Sequence, residues 1–267
     1  MRRMTWRTLV VALLFGGLLV SSASADEHSD SQEAPKAGSA AGDTETALTA
    51  PPSAPIMIAA MPVFVPPNMG APAARLGGAT RSVGNGEYPN IEVLVPEETG
   101  LTLREQPVLY WYLAAETDAP IEFVVRDITA GETLLQAALP PAEHAGIQRL
   151  ALSDHGLKLA PDVQYFWLIK LIRNQDDRSY DRLAGGGIER IATGPELEDQ
   201  LAAPGASRPH VLAQAGIWYD AIDSLSQDID AAPGNRTLWN QRAALFEQVG
   251  LPDIPLQEGA APGFQRR

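Results

Sequence analysis

Between Ile91 and Ala192 apolar residues recur at every second position, and beyond Ala192 the repeat lengthens to the helical period. Ile91, Val93 and Val95 form the first alternating set, which Pro96 closes. A short piece follows at Leu101–Leu103, then the aromatic-rich run Val108–Ala114, which has the composition of a central strand. Ile121–Asp127 and Thr133–Leu139 flank a turn at Ala130-Gly131 and predict a hairpin. Ile147–Leu152, Val163–Arg173 and Ile188–Ala192 complete the set. Seven or eight short strands with no helix between them predict a mainly β fold, an antiparallel β-sandwich, followed by helices.

The stretch Leu159-x-Pro161-x-x-x-Tyr165-x-Trp167 resembles the loop-to-strand entry of immunoglobulin-like and fibronectin-like sandwiches. There a tyrosine hydroxyl ties the strand head to the preceding loop, and a cysteine stands where this chain has Trp167. With Trp111 on another strand, aromatic bulk is expected to fill the space a disulfide bridges.

Past Ala192, Thr193-x-x-Glu196 reads as a capping box with Pro195 inside a short helix ending near Ala202. Ser207 caps a longer helix whose apolar stripe runs Val211, Ala215, Trp218, Ile222, Leu225, Ile229, until Pro233-Gly234 stops it. Asn235 opens the last helix, and Gly250 with Pro252 closes it. Trp218, Ala221, Leu225 and Pro233, then Trp239, Ala243 and Phe246, resemble halves of two tetratricopeptide units, with Arg242 where that repeat prefers leucine. A solenoid needs several copies, so the expectation is a helix hairpin packed on the sandwich.

The N-terminal residues change the picture by fixing a compartment. Arg2, Arg3 and Arg7 precede an apolar run from Thr8 to Val20, and Ala23-Ser24-Ala25 supplies a small-x-small site, so cleavage is expected between Ala25 and Asp26. The organisation read from the chain is a signal peptide over 1–25, a disordered acidic and Ala/Pro-rich linker over 26–62, and an extended Pro/Gly-rich segment over 63–90. The sandwich follows over 91–193, then helices over 194–252 and a flexible tail over 253–267. Removing the leader takes away three arginines and no acidic residue, moving the formal charge from −13 to −16. Such a chain is repelled by phosphate backbones and anionic lipid, so neither nucleic acid nor a stable membrane anchor is expected. With no cysteine, the fold is expected to rest on core burial alone or on a bound partner.

Candidate chemistry is sparse. There is no nucleophile elbow, His144, His155 and His210 stand apart, and no paired ligand spacing occurs, so no cofactor or metal is expected. Ser153-Asp154-His155 reads as a surface turn, because triads are assembled from separate segments. Gly185-Gly186-Gly187 lacks the Lys-Ser/Thr of a phosphate loop and reads as a turn or bulge. Asn174 to Arg182 is the densest polar cluster between two strong strands. Its Asp176, Asp177, Arg178 and Asp181 are candidates for ion binding or acid/base work, against a solvated hairpin end tied by its own Asp-Arg pairs. Asn235-Arg236-Thr237 matches a glycosylation acceptor, although an N-cap explains Asn235 without it.

An ordered series of short pieces carries a wider resemblance: Phe64-Val65-Pro66-Pro67, Gly77-Gly78-Ala79-Thr80-Arg81, Leu94-Val95-Pro96, Gly100-Leu101-Thr102-Leu103, Tyr110-Trp111-Tyr112, Tyr165-x-Trp167, Asp177-Arg178-Ser179 and Ala215-Gly216-Ile217-Trp218-Tyr219-Asp220-Ala221. Together they resemble an uncharacterised exported bacterial family, domain of unknown function 928, over about Pro62 to Leu251. That family often has a cysteine before the Asp-Arg-Ser loop and a Gly-Trp pair after it; this chain has no cysteine and reads Gly186-Gly187-Ile188. The resemblance implies no activity or catalytic residue. The sequence therefore reads as an exported, non-catalytic protein that binds or scaffolds another envelope protein through sheet edges or exposed aromatics near Trp218 and Tyr219. Its alternatives are an envelope hydrolase using the Asp176/Asp177/Asp181 loop and a sugar- or lipid-binding sandwich. Expressed with its leader, the chain should yield a mature protein beginning at Asp26, checked by intact mass.

Overall fold

The computed structural model of the chain describes residues 60–67, 74–77, 89–252 and Ile254. The expected leader with Ala25 and Asp26, residues 26–59 of the linker expected over 26–62 and nearly all of the tail lie outside the described residues.

Eight strands form two unclosed sheets. They are β1 (Ile91–Val93), β2 (Gly100–Thr102), β3 (Val108–Leu113), β4 (Ile121–Asp127), β5 (Thr133–Leu139), β6 (Gly146–Ala151), β7 (Gln164–Leu171) and β8 (Arg182–Arg190). A three-stranded sheet has the order β1-β3-β6, and a five-stranded sheet has the order β2-β8-β7-β4-β5. The β4–β5 hairpin forms as expected, with a register shift at Val125/Arg126. One pairing departs from the all-antiparallel expectation: β2 runs parallel to β8, with Gly100 opposite Ile188. After β1 the chain leaves the small sheet at Pro96, which has no N–H to continue a ladder, and then lays Gly100–Thr102 along the large sheet's edge.

The triple glycine, expected as a turn or bulge, lies within β8 instead. Gly185, Gly186 and Gly187 pair with Leu168, Trp167 and Phe166 of β7. Space explains the residue choice. A Cβ on Gly186 would stand 2.5 Å from a Val95 methyl, one on Gly187 2.6 Å from the Thr99 hydroxyl, and one on Gly185 2.6 Å from the Trp167 carbonyl oxygen. Glycine weakens a strand in isolation, so local pattern points away from the pairing that close approach demands.

Ile91, Val93, Leu109 and Leu113 of the small sheet are buried in one core with Phe123, Val125, Trp167, Ile169, Leu171 and Ile188 of the large one. The Tyr165 hydroxyl accepts the Ala160 N–H at 3.1 Å, the tie expected at the head of β7. Trp111 and Trp167 are both buried, one in each sheet.

Four helices follow: α1 (Pro195–Ala202), α2 (Arg208–Gln214), α3 (Trp218–Ala231) and α4 (Arg236–Gln248). The expected Thr193 capping box does not form. Gly194 is the N-cap of α1 and no side chain bonds there; Pro195, lacking an N–H, already removes one donor from the first turn. Ser207 caps α2 without a side-chain bond, whereas Asn235 accepts the Thr237 N–H at the head of α4 as expected. The single long helix expected from Ser207 to Pro233 is broken at Gly216, whose φ is +77°. The break shifts the buried face: Leu212 and Ala213 are buried before it, while Ala215 is exposed, and Trp218, Ile222, Leu225 and Ile229 are buried after it.

The cause of the break is an N-terminal strap, residues 60–67. A Cβ at Gly216 would meet the Val65 carbonyl oxygen at 2.9 Å. The Val65 N–H donates to the Ala213 carbonyl at 3.1 Å, and Phe64 packs edge-on against Trp218 with ring centroids 4.9 Å apart. The Gln248 amide accepts the Phe64 N–H at 2.8 Å and donates to the Pro62 carbonyl at 3.0 Å, while Gln241 donates to the Ala60 carbonyl at 2.9 Å. Two glutamines of α4 thus take the place of a neighbouring strand. Outside the strap, Leu76 exchanges both backbone bonds with Gly185 and covers part of the free edge of β8.

Gly185→Ala should lower stability by about 2–3 kcal/mol, because a backbone carbonyl cannot move aside as a side chain can. Gly234→Ala, which meets open space, should change it by no more than about 0.5 kcal/mol. Urea midpoints read both.

Candidate functional site

Trp218, Tyr219 and Asp220, consecutive at the head of α3, use their polar tips to dock that helix on four different strands or strand ends. Trp218 Nε1 donates to the Leu94 carbonyl at 2.8 Å. The Tyr219 hydroxyl donates to the Gly187 carbonyl and accepts from Trp167 Nε1, each at 2.8 Å. Asp220 Oδ2 accepts the Thr102 hydroxyl at 2.6 Å and the Leu103 N–H at 3.1 Å. One turn on, Asp223 accepts from the Tyr110 hydroxyl at 2.8 Å, from Gln227 at 2.7 Å and from the half-exposed Arg104. Gly100 belongs to the same joint, since a Cβ there would lie 2.7 Å from the Tyr219 ring.

Trp218 and Tyr219 are therefore buried, at 1% and 2% exposure, which corrects the expectation of aromatics open to a partner. The stripe that carries them faces the sheets, where a large ring with one polar tip satisfies both packing and hydrogen bonding. Burial pushes the Asp220 carboxyl above the usual aspartate range, against the bonds from Thr102 and Leu103 and the attraction of Arg104. Burial also pushes the Tyr110 and Tyr219 hydroxyls well up, with the Asp223 charge adding to the effect on Tyr110. Two neighbouring carboxylates under one arginine form an ion-paired clamp between helix and sheet.

The polar loop after β7 closes on itself. Asp177 accepts both the Ser179 N–H at 3.0 Å and the Ser179 hydroxyl at 2.6 Å, which hold its carboxyl below the usual range. Asn174 accepts the Asp176 N–H at 2.9 Å. Arg178 Nε donates to Asp181 at 2.6 Å and its Nη2 stands 3.6 Å from Glu122. Ser153-Asp154-His155 lies in a short helical turn, with the Ser153 hydroxyl 3.5 Å from the exposed Asp154 carboxylate. Among the described residues, no group of three or more His, Cys, Asp or Glu is placed to hold a metal ion.

What the loop borders is the outer face of the five-stranded sheet. Alternation sends Glu122 and Val124 of β4, Phe166, Leu168 and Lys170 of β7 and Leu183 of β8 to this side. Register aligns them, with Glu122 opposite Lys170, Val124 opposite Leu168 and Lys170 opposite Leu183. Because Gly185 has no side chain, Phe166 and Leu168 lean into its place. Together with Leu76, Ile128 and Leu183, each about two-fifths exposed, they line a shallow apolar depression of about 650 Å³. At one end the apolar floor gives way to charge: Lys170 donates to Glu122 at 2.7 Å, and Arg178 bridges Glu122 and Asp181. The Lys170 bond, helped by Gln136, holds the Glu122 carboxyl below its usual range despite partial burial. Ionised and already engaged, Glu122 is poorly suited to deliver a proton at neutral pH. Two acids and two bases balance, leaving a neutral polar rim beside an apolar floor.

Of the residues singled out in the sequence, Arg178 and Asp181 thus reach this face, Asp176 and Asp177 stay in the exposed loop, and Trp218 and Tyr219 are interior. The sequence reading missed Glu122, Lys170 and Leu183. The signal for Lys170 was available: it sits in phase with Phe166 and Leu168, the off-core half of an otherwise apolar strand.

Asp223→Ala should cost about 2–4 kcal/mol by urea unfolding, since it strands Tyr110 and Arg104 together, whereas Asp177→Ala should cost less than about 1 kcal/mol. Asp220 supplies a pH test with a fixed sign. Its folded carboxyl binds a proton more tightly than the unfolded one, so charging it weakens the fold. The stability of the wild type relative to Asp220→Asn should fall as pH rises from the ordinary aspartate value through the raised folded value, then level off. A series of urea midpoints across that interval checks it.

No curated protein matches the chain. A family described as Domain of Unknown Function (DUF928) matches residues 76–258, which span both sheets and all four helices. The pieces that carried the resemblance supply most of the α3 joint and part of the strap, and with a match over more than half its length the chain belongs to the DUF928 family.

Proposed function

We propose that this chain is an exported, non-catalytic binding or scaffolding module of the bacterial cell envelope whose contact surface is the outer face of the five-stranded sheet. Export rests on the leader pattern ending at Ala25, and the acidic balance favours a protein partner over nucleic acid. The carrying observation is the apolar floor of Leu76, Ile128, Phe166, Leu168 and Leu183 beside the balanced Glu122/Lys170/Arg178/Asp181 rim. An exposed apolar patch with a polar border is the anatomy of a protein contact.

The scaffold is best read as immunoglobulin-like. The orders β1-β3-β6 and β2-β8-β7-β4-β5, with a short early strand parallel to the last, support that reading, as does the Tyr165 tie at the head of β7. In such a fold β3 and β7 are the strands that carry the inter-sheet disulfide, and here each carries a buried tryptophan. The α3–α4 pair reads as a tetratricopeptide-like hairpin, and Trp218 and Phe246 face each other across it with centroids 6.4 Å apart. The hydrolase alternative draws no support from its loop, where Asp177 and Asp181 serve as internal hydrogen-bond acceptors.

A photo-crosslinking residue at position 183, in cells of the source organism, should give a defined protein adduct, while the same residue at exposed position 158 should not. Leu183→Glu should cut recovery of that adduct's partner at least about tenfold, the effect of losing a contact-centre residue. No adduct at 183, or equal adducts at both positions, would overturn the proposal.

A further inference from the structure

Every sheet edge in the described structure is shielded except one. The β1 edge is three residues long and carries Glu92. β2 is as short and lies under α3. β6 carries Arg149, which reaches Asp230 of α3 at 2.8 Å, and β8 is met by β2 and by Leu76. β5 is different. It is seven residues long, reads Thr-Leu-Leu-Gln-Ala-Ala-Leu, and has no charge, proline or glycine. Among the described residues β5 pairs with β4 alone. Thr133, Leu134, Gln136 and Ala138 are exposed. Natural sheets protect such edges with charge, proline or brevity, because the open row of N–H and C=O groups templates another strand.

From this edge we infer that β5 is a self-association site, where it pairs antiparallel with β5 of a second copy and joins two five-stranded sheets across a two-fold axis. The strand is complementary to itself about Gln136. Antiparallel pairing centred there sets Leu134 against Ala138, Leu135 against Ala137 and Thr133 against Leu139, with Gln136 opposite its own copy. Each leucine meets a smaller side chain, and alternation keeps every pair on a single face. Charge agrees. The chain as a whole repels its copies at a formal charge of −13, yet this strand brings no like charges together. On β4 behind it, Glu122 is already bonded to Lys170 and to Gln136. One strand pair buries less than the ~1,200 Å² of a standard interface, so the dimer should be reversible. It uses the strand edge and not the apolar floor proposed above, although Gln136 also borders that floor's polar rim, and its test reads without any partner protein.

The absence of cysteine makes the register directly measurable. In the mature chain carrying Gln136→Cys, mild oxidation should give a covalent dimer, and Lys158→Cys should not. Leu134→Cys and Ala138→Cys, each alone, should cross-link poorly, whereas an equal mixture of the two should cross-link well. Sedimentation of the cysteine-free chain should show a monomer–dimer equilibrium that Gln136→Lys weakens about fivefold or more by facing two ammonium groups. Lys at 136 has Glu122 beside it in the monomer, so its thermal unfolding should match wild type, and that control separates lost pairing from lost fold. A strictly monomeric chain at all concentrations would overturn the inference, leaving the edge to a strand of another protein. A dimer indifferent to Gln136→Lys, or cross-linking at 136 no better than at 158, would overturn it equally. Neither result bears on the adduct at 183.

Discussion

The joint at the head of α3 is what the rest of this fold depends on. Three adjacent side chains reach out to Leu94, to Gly187 and Trp167, and to Thr102 and Leu103, so a single helical turn fastens both sheets. With no cysteine, the two sheets have no covalent staple between them, and here the function of one is spread over hydrogen bonds from buried rings. These bonds are individually modest, roughly 1 kcal/mol each, but each buried partner left unpaired costs more than the bond returns. That asymmetry makes the joint specific: a helix shifted by one residue leaves an indole, a phenol or a carboxylate stranded.

The same constraint explains the glycines, which are packing decisions more than chain breakers. Gly100 admits the Tyr219 ring, Gly187 admits Thr99, and Gly216 admits the strap. Only at Gly216 does a positive φ add a backbone reason to the steric one. Seen this way, ordered pieces of the family resemblance supply both sides of the Gly100–Tyr219 and Gly216–Val65 contacts, each separated by more than a hundred residues in sequence.

That separation also marks what the sequence could and could not disclose. Strand positions from Ile91 to Leu171 were legible because one face of each strand is apolar, and the Tyr165 tie was legible because its motif is local. The first half of β8 was hidden, because its glycines are chosen for neighbours far away in the chain. The helix break at Gly216 was hidden for a like reason, since the apolar stripe continues through it and only the strap shows why it must bend. At the candidate site the polar loop announced Arg178 and Asp181, but Glu122 and Lys170 lay within strands and were read as part of the alternation. Burial of Trp218 and Tyr219 follows from a stripe that was itself recognised; what pattern alone lacked was the surface on which that stripe would lie.

Helix α3 follows all eight strands in the chain, yet β2, β3, β7 and β8 each complete a hydrogen bond or a packing contact only against it. The sheets therefore lack their keystone until the last quarter of the polypeptide has been made. Such long-range closure raises contact order and slows folding relative to local hairpins. A chain made only as far as β8 has both sheets' strands but none of the bonds from Trp218, Tyr219 and Asp220 that join them.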